Sequence, residues 1–280
     1  MVGLSAHQLF SLDGKTVLLT GATGFLGRTF GRAALENGAT VIALSRPERL
    51  SRQVQEWRAE FGESRVRGYA VDMYDLPQLE SVLGQIVDRE GFVEVVVNNA
   101  HELGAKTGFN TPHGGLESAT HDQWMRNLTA GVYWASVVVQ RLGPAMKEHG
   151  RGSIVNIATM YGLVAPSPSL YTGTEFMNPP GYSAGKAALL AFTRYVASFW
   201  GPHGVRSNAI VPGPFSNTDG DSENAVGRDD PFLERLRERT CLRRIGAPNE
   251  LVGALLFLAS DASSFVTGQA LVVDGGWTVT

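Results

Sequence analysis

Short β-branched runs alternate with amphipathic helical periods from residue 15 onward, and that alternation leaves the chain few folds to adopt. KTVLLT (15–20), ATVIALSR (39–46), VRGYAVD (66–72) and VEVVV (93–97) read as strands. Helical patterns separate them at 25–36, 47–61 and 76–89. The alternation continues after a Gly-, Thr- and His-rich loop at 101–120. A long helix is expected over 122–149, bending at Gly143-Pro144. Strands follow at 153–158, 205–211 and 269–273, and helices at 180–200, 231–239 and 249–260. Strands with apolar runs joined by helices build a parallel sheet covered on both faces. No linker, repeat or low-complexity block divides the chain. One doubly wound α/β domain over 1–280 is expected, with a sheet of about seven strands and residues 1–14 as an N-terminal extension.

Charge and composition exclude several partners. Hydrophobic residues make up 43% of the chain and charged residues 18%, which suits a globular core. A net charge of −3 gives no basic surface for nucleic acid or an anionic membrane. The one cysteine, Cys241, has no intrachain partner, so a reducing, cytoplasmic setting is expected. MVGLSAHQLFSLDG lacks the basic-then-apolar order of a secretory signal. The apolar run 251–259 is too short to cross a bilayer. No metal-ligand cluster is expected.

The first strand runs straight into TGATGFLG and then a helix. Gly21 allows a tight turn, Gly24 lets backbone approach a pyrophosphate, and Gly27 lets helix and strand pack closely. Amides at the helix start face phosphates. A purely structural glycine turn is the alternative. No lysine follows the last glycine, so this is not a Walker loop. The second strand ends Leu44-Ser45-Arg46 without a carboxylate. Arg46 and Ser45 suit a 2′-phosphate, which favours NADP(H) over NAD(H); a solvated surface arginine is the alternative. Asp72 ends the third strand, where it can meet an adenine amino group or cap a helix.

PGYSAGKAALLAFTRYVASFW (180–200) places Tyr182 and Lys186 four residues apart, on one helix face and roughly 6 Å apart along the axis. A cation beside a phenol favours the phenolate and lowers the tyrosine pKa toward working pH. Tyr and Lys at this spacing also occur on ordinary helices, the lysine stem lying along the ring.

The ordered motifs TGATGFLG, Asp72, Asn98-Asn99-Ala100, Asn127, NIAT (156–159), YSAGK, PGP (212–214) and VVDGG resemble the short-chain dehydrogenase/reductase family from residue 15 to 276. The resemblance implies a Rossmann fold and an NAD(P)(H)-dependent oxidoreductase that interconverts a carbonyl and a secondary alcohol. It implies Tyr182 as general acid/base, Lys186 on the nicotinamide ribose and lowering the tyrosine pKa, Thr159 in place of the family serine, and Asn127 at a helix distortion holding a relay water. It implies cofactor contacts from Gly21, Thr23, Gly24, Phe25, Leu26 and Gly27, then from Ser45, Arg46, Asp72 and Met73. Asn99, Ala100, His101, Pro212 and Gly213 complete them, with Tyr182 and Lys186. A homotetramer, or a dimer, built on helices 122–149 and 182–200 is implied as well.

Three departures stand out. The glycine spacing is that of the extended branch of the superfamily, with Phe25 where a middle glycine is usual. His101 stands where a glycine normally follows Asn-Asn-Ala, and either narrows the nicotinamide side or turns outward. The stretch 159–181 is longer than usual and carries Tyr161, Glu175, Phe176 and Met177. It resembles a subgroup near surface-polysaccharide genes and among sugar-acid oxidoreductases. Substrate contacts are expected from 159–181 and from 214–240, including Phe215. Asp219, Asp221 and Glu223, with no arginine cluster near them, argue against a highly phosphorylated substrate or a long acyl-carrier protein. A sugar, sugar acid or polyol fits the polar mixture; a hydrophobic ketone fits Phe215, Phe176 and Met177. A regulatory nucleotide-binding protein is the non-enzymatic alternative.

Overall fold

The structure is a computed structural model that describes residues 5–216 and 230–280. In chain order the elements are α1 (Ala6–Phe10), β1 (Thr16–Thr20), α2 (Phe25–Glu36), β2 (Thr40–Ser45), α3 (Pro47–Phe61), β3 (Val66–Ala70), α4 (Leu76–Glu90) and β4 (Val95–Asn98). They continue as α5 (His121–Leu128), α6 (Trp134–Glu148), β5 (Gly152–Ile157), α7 (Pro180–Trp200), β6 (Val205–Pro212), α8 (Pro231–Arg239), α9 (Val252–Ala259) and β7 (Ala270–Val273). The seven strands form one sheet in the order β3-β2-β1-β4-β5-β6-β7. Every neighbouring pair is parallel. The expected doubly wound domain is therefore what forms.

The central strands are buried on both faces, as their unbroken apolar runs require. One core cluster joins Phe30 of α2, Trp57 of α3 and Leu255 of α9 to one sheet face. A second joins Leu83 of α4, Val138 of α6 and Val196 of α7 to the other. Local chemistry sets the helix ends. Asp75 caps α4 by accepting from the Gln78 amide, and Thr120 with Gln123 forms a capping box at α5. Prolines open α3, α4, α7 and α8, where a missing N–H costs nothing. The strand order reverses between β1 and β4, so their C-terminal ends border the crevice in which such sheets bind ligands.

The structure adds detail at three stretches. The single helix expected over 122–149 forms as two, and α6 runs through Pro144 to Glu148 without a break. The irregularity comes earlier, as a π turn at Thr129–Tyr133 directly after α5. Here α5 and α7 cross at backbone contact. A Cβ on Gly131 would lie 2.7 Å from the Gly185 Cα, and one on Gly185 would lie 2.7 Å from the Asn127 carbonyl oxygen. Second, the N-terminal extension is part of the domain from residue 5 on. Ser5 and Gln8 make a capping box for α1, Leu12 is buried, and Phe10 packs near Phe257. Third, 159–181 carries local structure of its own. It holds 3₁₀ turns at Met160–Gly162 and Pro168–Tyr171, and the Leu170 carbonyl accepts from Arg235 Nε of α8 at 2.6 Å.

Candidate active site

Thr20, at the end of β1, is the post around which the glycine loop is fixed. Its hydroxyl oxygen accepts from the Asn99 and Ala100 amides, both at 3.0 Å. The Asn99 amide group donates back to the Thr20 and Gly21 carbonyls at 3.1 and 3.2 Å. Gly21 has φ +66°, and a Cβ there would lie 2.9 Å from the Ala100 Cα. A Cβ on Gly27 would lie 2.1 Å from the Gly21 carbonyl oxygen. Both glycines are therefore required by backbone. Gly24 is the N-cap of α2 and offers no side-chain cap, which leaves the first amides of Phe25, Leu26 and Gly27 free to face an anion. The cradle suits the pyrophosphate of a dinucleotide.

The specificity end of this cradle differs in detail from expectation. The Ser45 hydroxyl is buried and pairs with Thr23 Oγ1 at 2.7 Å, so it is already engaged. Arg46 is exposed at the N-cap of α3 and remains placed to meet a charged group. Asp72 accepts from the Tyr74 amide at 3.0 Å and stabilises the turn before α4; the N-cap of that helix is Asp75. Met73 is buried beside it.

Beyond β5, Thr159 is buried and its side chain accepts from the Tyr161 amide at 3.4 Å. It also lies close enough to the Tyr182 hydroxyl to lower its pKa. One turn along α7, Lys186 is buried and donates from Nζ to the Ile157 carbonyl at 2.7 Å. The helix carrying both is held to the sheet by a buried polar chain. Asn98 Nδ2 donates to Asn156 Oδ1 at 2.8 Å, and Asn156 Nδ2 donates to Thr193 Oγ1 at 2.9 Å. Leaving one such group unpaired costs about 1–3 kcal/mol, which argues for a fixed register of α7.

The expected effect of the lysine on the tyrosine is not what this geometry gives. Burial pushes Tyr182 up to about 12, against a smaller lowering by the Thr159 side chain. Burial also pulls Lys186 down to about 7. The ammonium points at the Ile157 carbonyl rather than at the phenol, so burial outweighs attraction.

Asn127 is buried at the end of α5. Its Nδ2 donates to the Thr107 and Gln123 carbonyls, both at 2.8 Å, while its Oδ1 has no protein donor. His101 turns inward. Its ring meets the Tyr182 ring edge-on, with centroids 4.9 Å apart. Phe109 meets the same ring from the same loop at 5.0 Å. Sequence reading does not single out Phe109, because an aromatic in a loop rich in Gly and Thr carries no periodicity.

The insertion residues divide. Tyr161, Phe176 and Met177 join Tyr171, Leu233, Trp277 and Tyr182 in one apolar cluster over the site. Glu175 is exposed. Phe215 lies apart from them: it packs on Gly246 and the α9-side core, while Gly213 sits tight against Asp274 after Pro212 ends β6. Asp219, Asp221 and Glu223 lie outside the described residues. Among the described residues no cluster of His, Cys, Asp or Glu suits a metal ion.

Residues 21–278 match a family model described as enoyl-(acyl carrier protein) reductase. A sorbose reductase from Schizosaccharomyces pombe is 31% identical, with 96% of this chain and 98% of that protein covered. A galactitol 2-dehydrogenase (L-tagatose-forming) from Cereibacter sphaeroides is 33% identical, with 98% of each covered. The crystal structure of a gluconate 5-dehydrogenase from Burkholderia cenocepacia, in complex with NADP and tartrate, superposes with a TM-score of 0.84 at 28% identity, covering 99% of this chain and 100% of that one. The chain belongs to the matched family, and with it to the short-chain dehydrogenase/reductase superfamily of NAD(P)(H)-dependent oxidoreductases.

Proposed function

We propose that the protein interconverts a carbonyl and a secondary alcohol on a sugar, sugar acid or polyol, favouring NADP(H) over NAD(H). The observation that carries the reading is the meeting of a half-buried Tyr182 with the buried Thr159 and Lys186 beyond β5. When bound, the nicotinamide supplies or accepts the hydride. The substrate oxygen then needs a proton and a fixed donor. In reduction the Tyr182 phenol gives its proton to that oxygen; in oxidation the phenolate takes one. Thr159, beside the tyrosine hydroxyl, suits the oxygen's second contact. Lys186 is suited to the ribose side, and Asn127 holds the end of α5 beside it. Relatives named for sorbose, galactitol and gluconate support a polyhydroxylated substrate. The apolar cluster over the site favours a second reading, a hydrophobic ketone.

Purified protein with NADPH and a panel of keto-sugars, keto-acids and hydrophobic ketones tests this. Tyr182→Phe should lower kcat by about 100-fold or more with cofactor binding retained. NADPH bound without turnover of any carbonyl, unchanged by Tyr182→Phe, would make the regulatory reading correct. For the coenzyme, Arg46→Asp should collapse a wild-type preference for NADPH, since an exposed guanidinium is replaced by a charge that repels a 2′-phosphate. Equal use of both coenzymes by wild type would show Arg46 to be surface only. A cytoplasmic setting accords with the free Cys241, and no helix among the described residues is long and apolar enough to cross a membrane.

A further inference from the structure

Two buried hydroxyls sit inside the apolar cluster over the site. Tyr161 and Tyr171 are both buried, and their hydroxyl oxygens meet at 3.4 Å. That is long for a hydroxyl pair, whose usual separation is about 2.7–2.8 Å. Two hydroxyls carry two protons, and one bond between them uses one. Among the described residues neither hydroxyl has another hydrogen-bond partner. Burial holds both phenols above their ordinary pKa, so both stay protonated. Their rings are fixed. The Tyr161 amide donates to the Thr159 hydroxyl at 3.4 Å, and the Tyr161 ring meets Trp277 edge-on with centroids 6.2 Å apart. Tyr171 is held by Phe232 at 5.2 Å and by Phe176 at 6.1 Å. Tyr182 packs against the same cluster. Two guanidiniums of α8 beside it are already engaged. Arg235 serves the Leu170 carbonyl, while Arg239 lies over the Trp277 ring and donates to the Thr280 main-chain oxygen at 3.0 Å. The pair is therefore a neutral donor, which suits a hydroxyl oxygen better than a carboxylate, since carboxylates draw cations.

We propose that Tyr161 and Tyr171 recognise a substrate hydroxyl: the proton left over from their mutual bond is donated to a hydroxyl oxygen near the reacting carbonyl, and so selects hydroxylated ketones over plain ones. Apolar pockets orient a ligand through a few placed polar groups, and a site built to bond a hydroxyl discriminates against the analogue that lacks it. The cluster that fits a hydrophobic ketone thereby accepts the carbon face of a polyhydroxylated one, with the tyrosine pair as its polar contact. The selection rests on the reading of Tyr182 as proton carrier; the binding of a hydroxyl by the pair does not.

Initial rates of the full chain with NADPH, on 2-hexanone and its monohydroxylated derivatives, test this. Wild type should favour at least one hydroxyketone over 2-hexanone in kcat/KM. In the double variant Tyr161→Phe with Tyr171→Phe that preference should fall by about threefold to tenfold, the range that one neutral hydrogen bond spans. Phenylalanine keeps both rings, and a disturbance of packing alone would lower every ketone alike and leave the preference intact; an intact preference overturns the proposal. A wild type that prefers 2-hexanone, or the anionic 2-oxohexanoate, over every hydroxyketone overturns it as well. Should the double variant not fold, the two single variants replace it, and at least one must lose the preference. Absence of turnover in wild type would remove the proposed function, and binding then decides the role of the pair. In saturation-transfer NMR with NADPH present, a hydroxyketone should contact wild type and lose that contact in the double variant; equal contact in both, or none in either, defeats the proposal.

Discussion

At the scale of single residues, burial governs the chemistry of the site. Tyr182 at about 12 and Lys186 at about 7 place a phenol and an increasingly neutral amine together above neutral pH. Reduction, which uses the phenol, should hold its rate through pH 9, whereas oxidation, which uses the phenolate, should climb with pH; parallel rate profiles in the two directions would contradict this. The same burial acts on stability. Lys186 has a folded pKa below its unfolded value, so between about pH 7 and 10 the unfolded chain binds more protons and stability rises with pH. Tyr182 has a folded pKa above its unfolded value, so its contribution is present below about pH 10 and is lost on approaching 12. A tenfold difference in proton affinity between the folded and unfolded chain corresponds to about 1.4 kcal/mol. Denaturant midpoints across pH 7–10 should therefore rise in wild type and lose most of that rise in Lys186→Met.

At the scale of elements, the crossing of α5 and α7 sets the distance between Asn127 and the Tyr182–Lys186 face. Gly185 lies against the Asn127 carbonyl oxygen, which is backbone and cannot rotate aside. Gly185→Ala should part the helices, cost about 1–3 kcal/mol, and lower kcat more than it weakens cofactor binding. A wild-type melting temperature would show that the crossing tolerates a methyl group. Strands and helices are legible in the sequence because each keeps its own hydrophobic period. TGATGFLG and YSAGK are legible because backbone contact or chemistry dictates nearly every residue. The π turn is not: one extra residue in a helical turn leaves the apolar pattern almost intact, while Gly143-Pro144 carries a visible breaker that α6 absorbs. The inward turn of His101 is equally hidden, since packing against Tyr182, not local sequence, decides it.

At the scale of the whole molecule, the parallel sheet gathers residues distant in sequence at one edge, and the same helices that carry them also form its outer wall. The outer face of α7 exposes Tyr195 and Phe199, 65% and 62% accessible, stacked with centroids 5.9 Å apart. Met125 on α5 and Tyr133 at the π turn are exposed as well. Two aromatic rings bury about 150–250 Å² each when covered, so they would supply a substantial share of the roughly 800 Å² per partner of a stable interface. Lys186 and Thr193 face inward on the same helix. Subunit contact would thus brace α7 from behind and help fix Tyr182 against Thr159. We expect wild type to sediment as a tetramer or dimer at micromolar concentration. Tyr195→Glu with Phe199→Glu should yield a monomer, because a charge at each ring opposes burial. That monomer should lose kcat more than fold, since α7 keeps its sheet-side polar chain but loses its outer support. A monomeric wild type would assign the aromatic face to another partner, and a monomeric double variant with full kcat would uncouple assembly from the site.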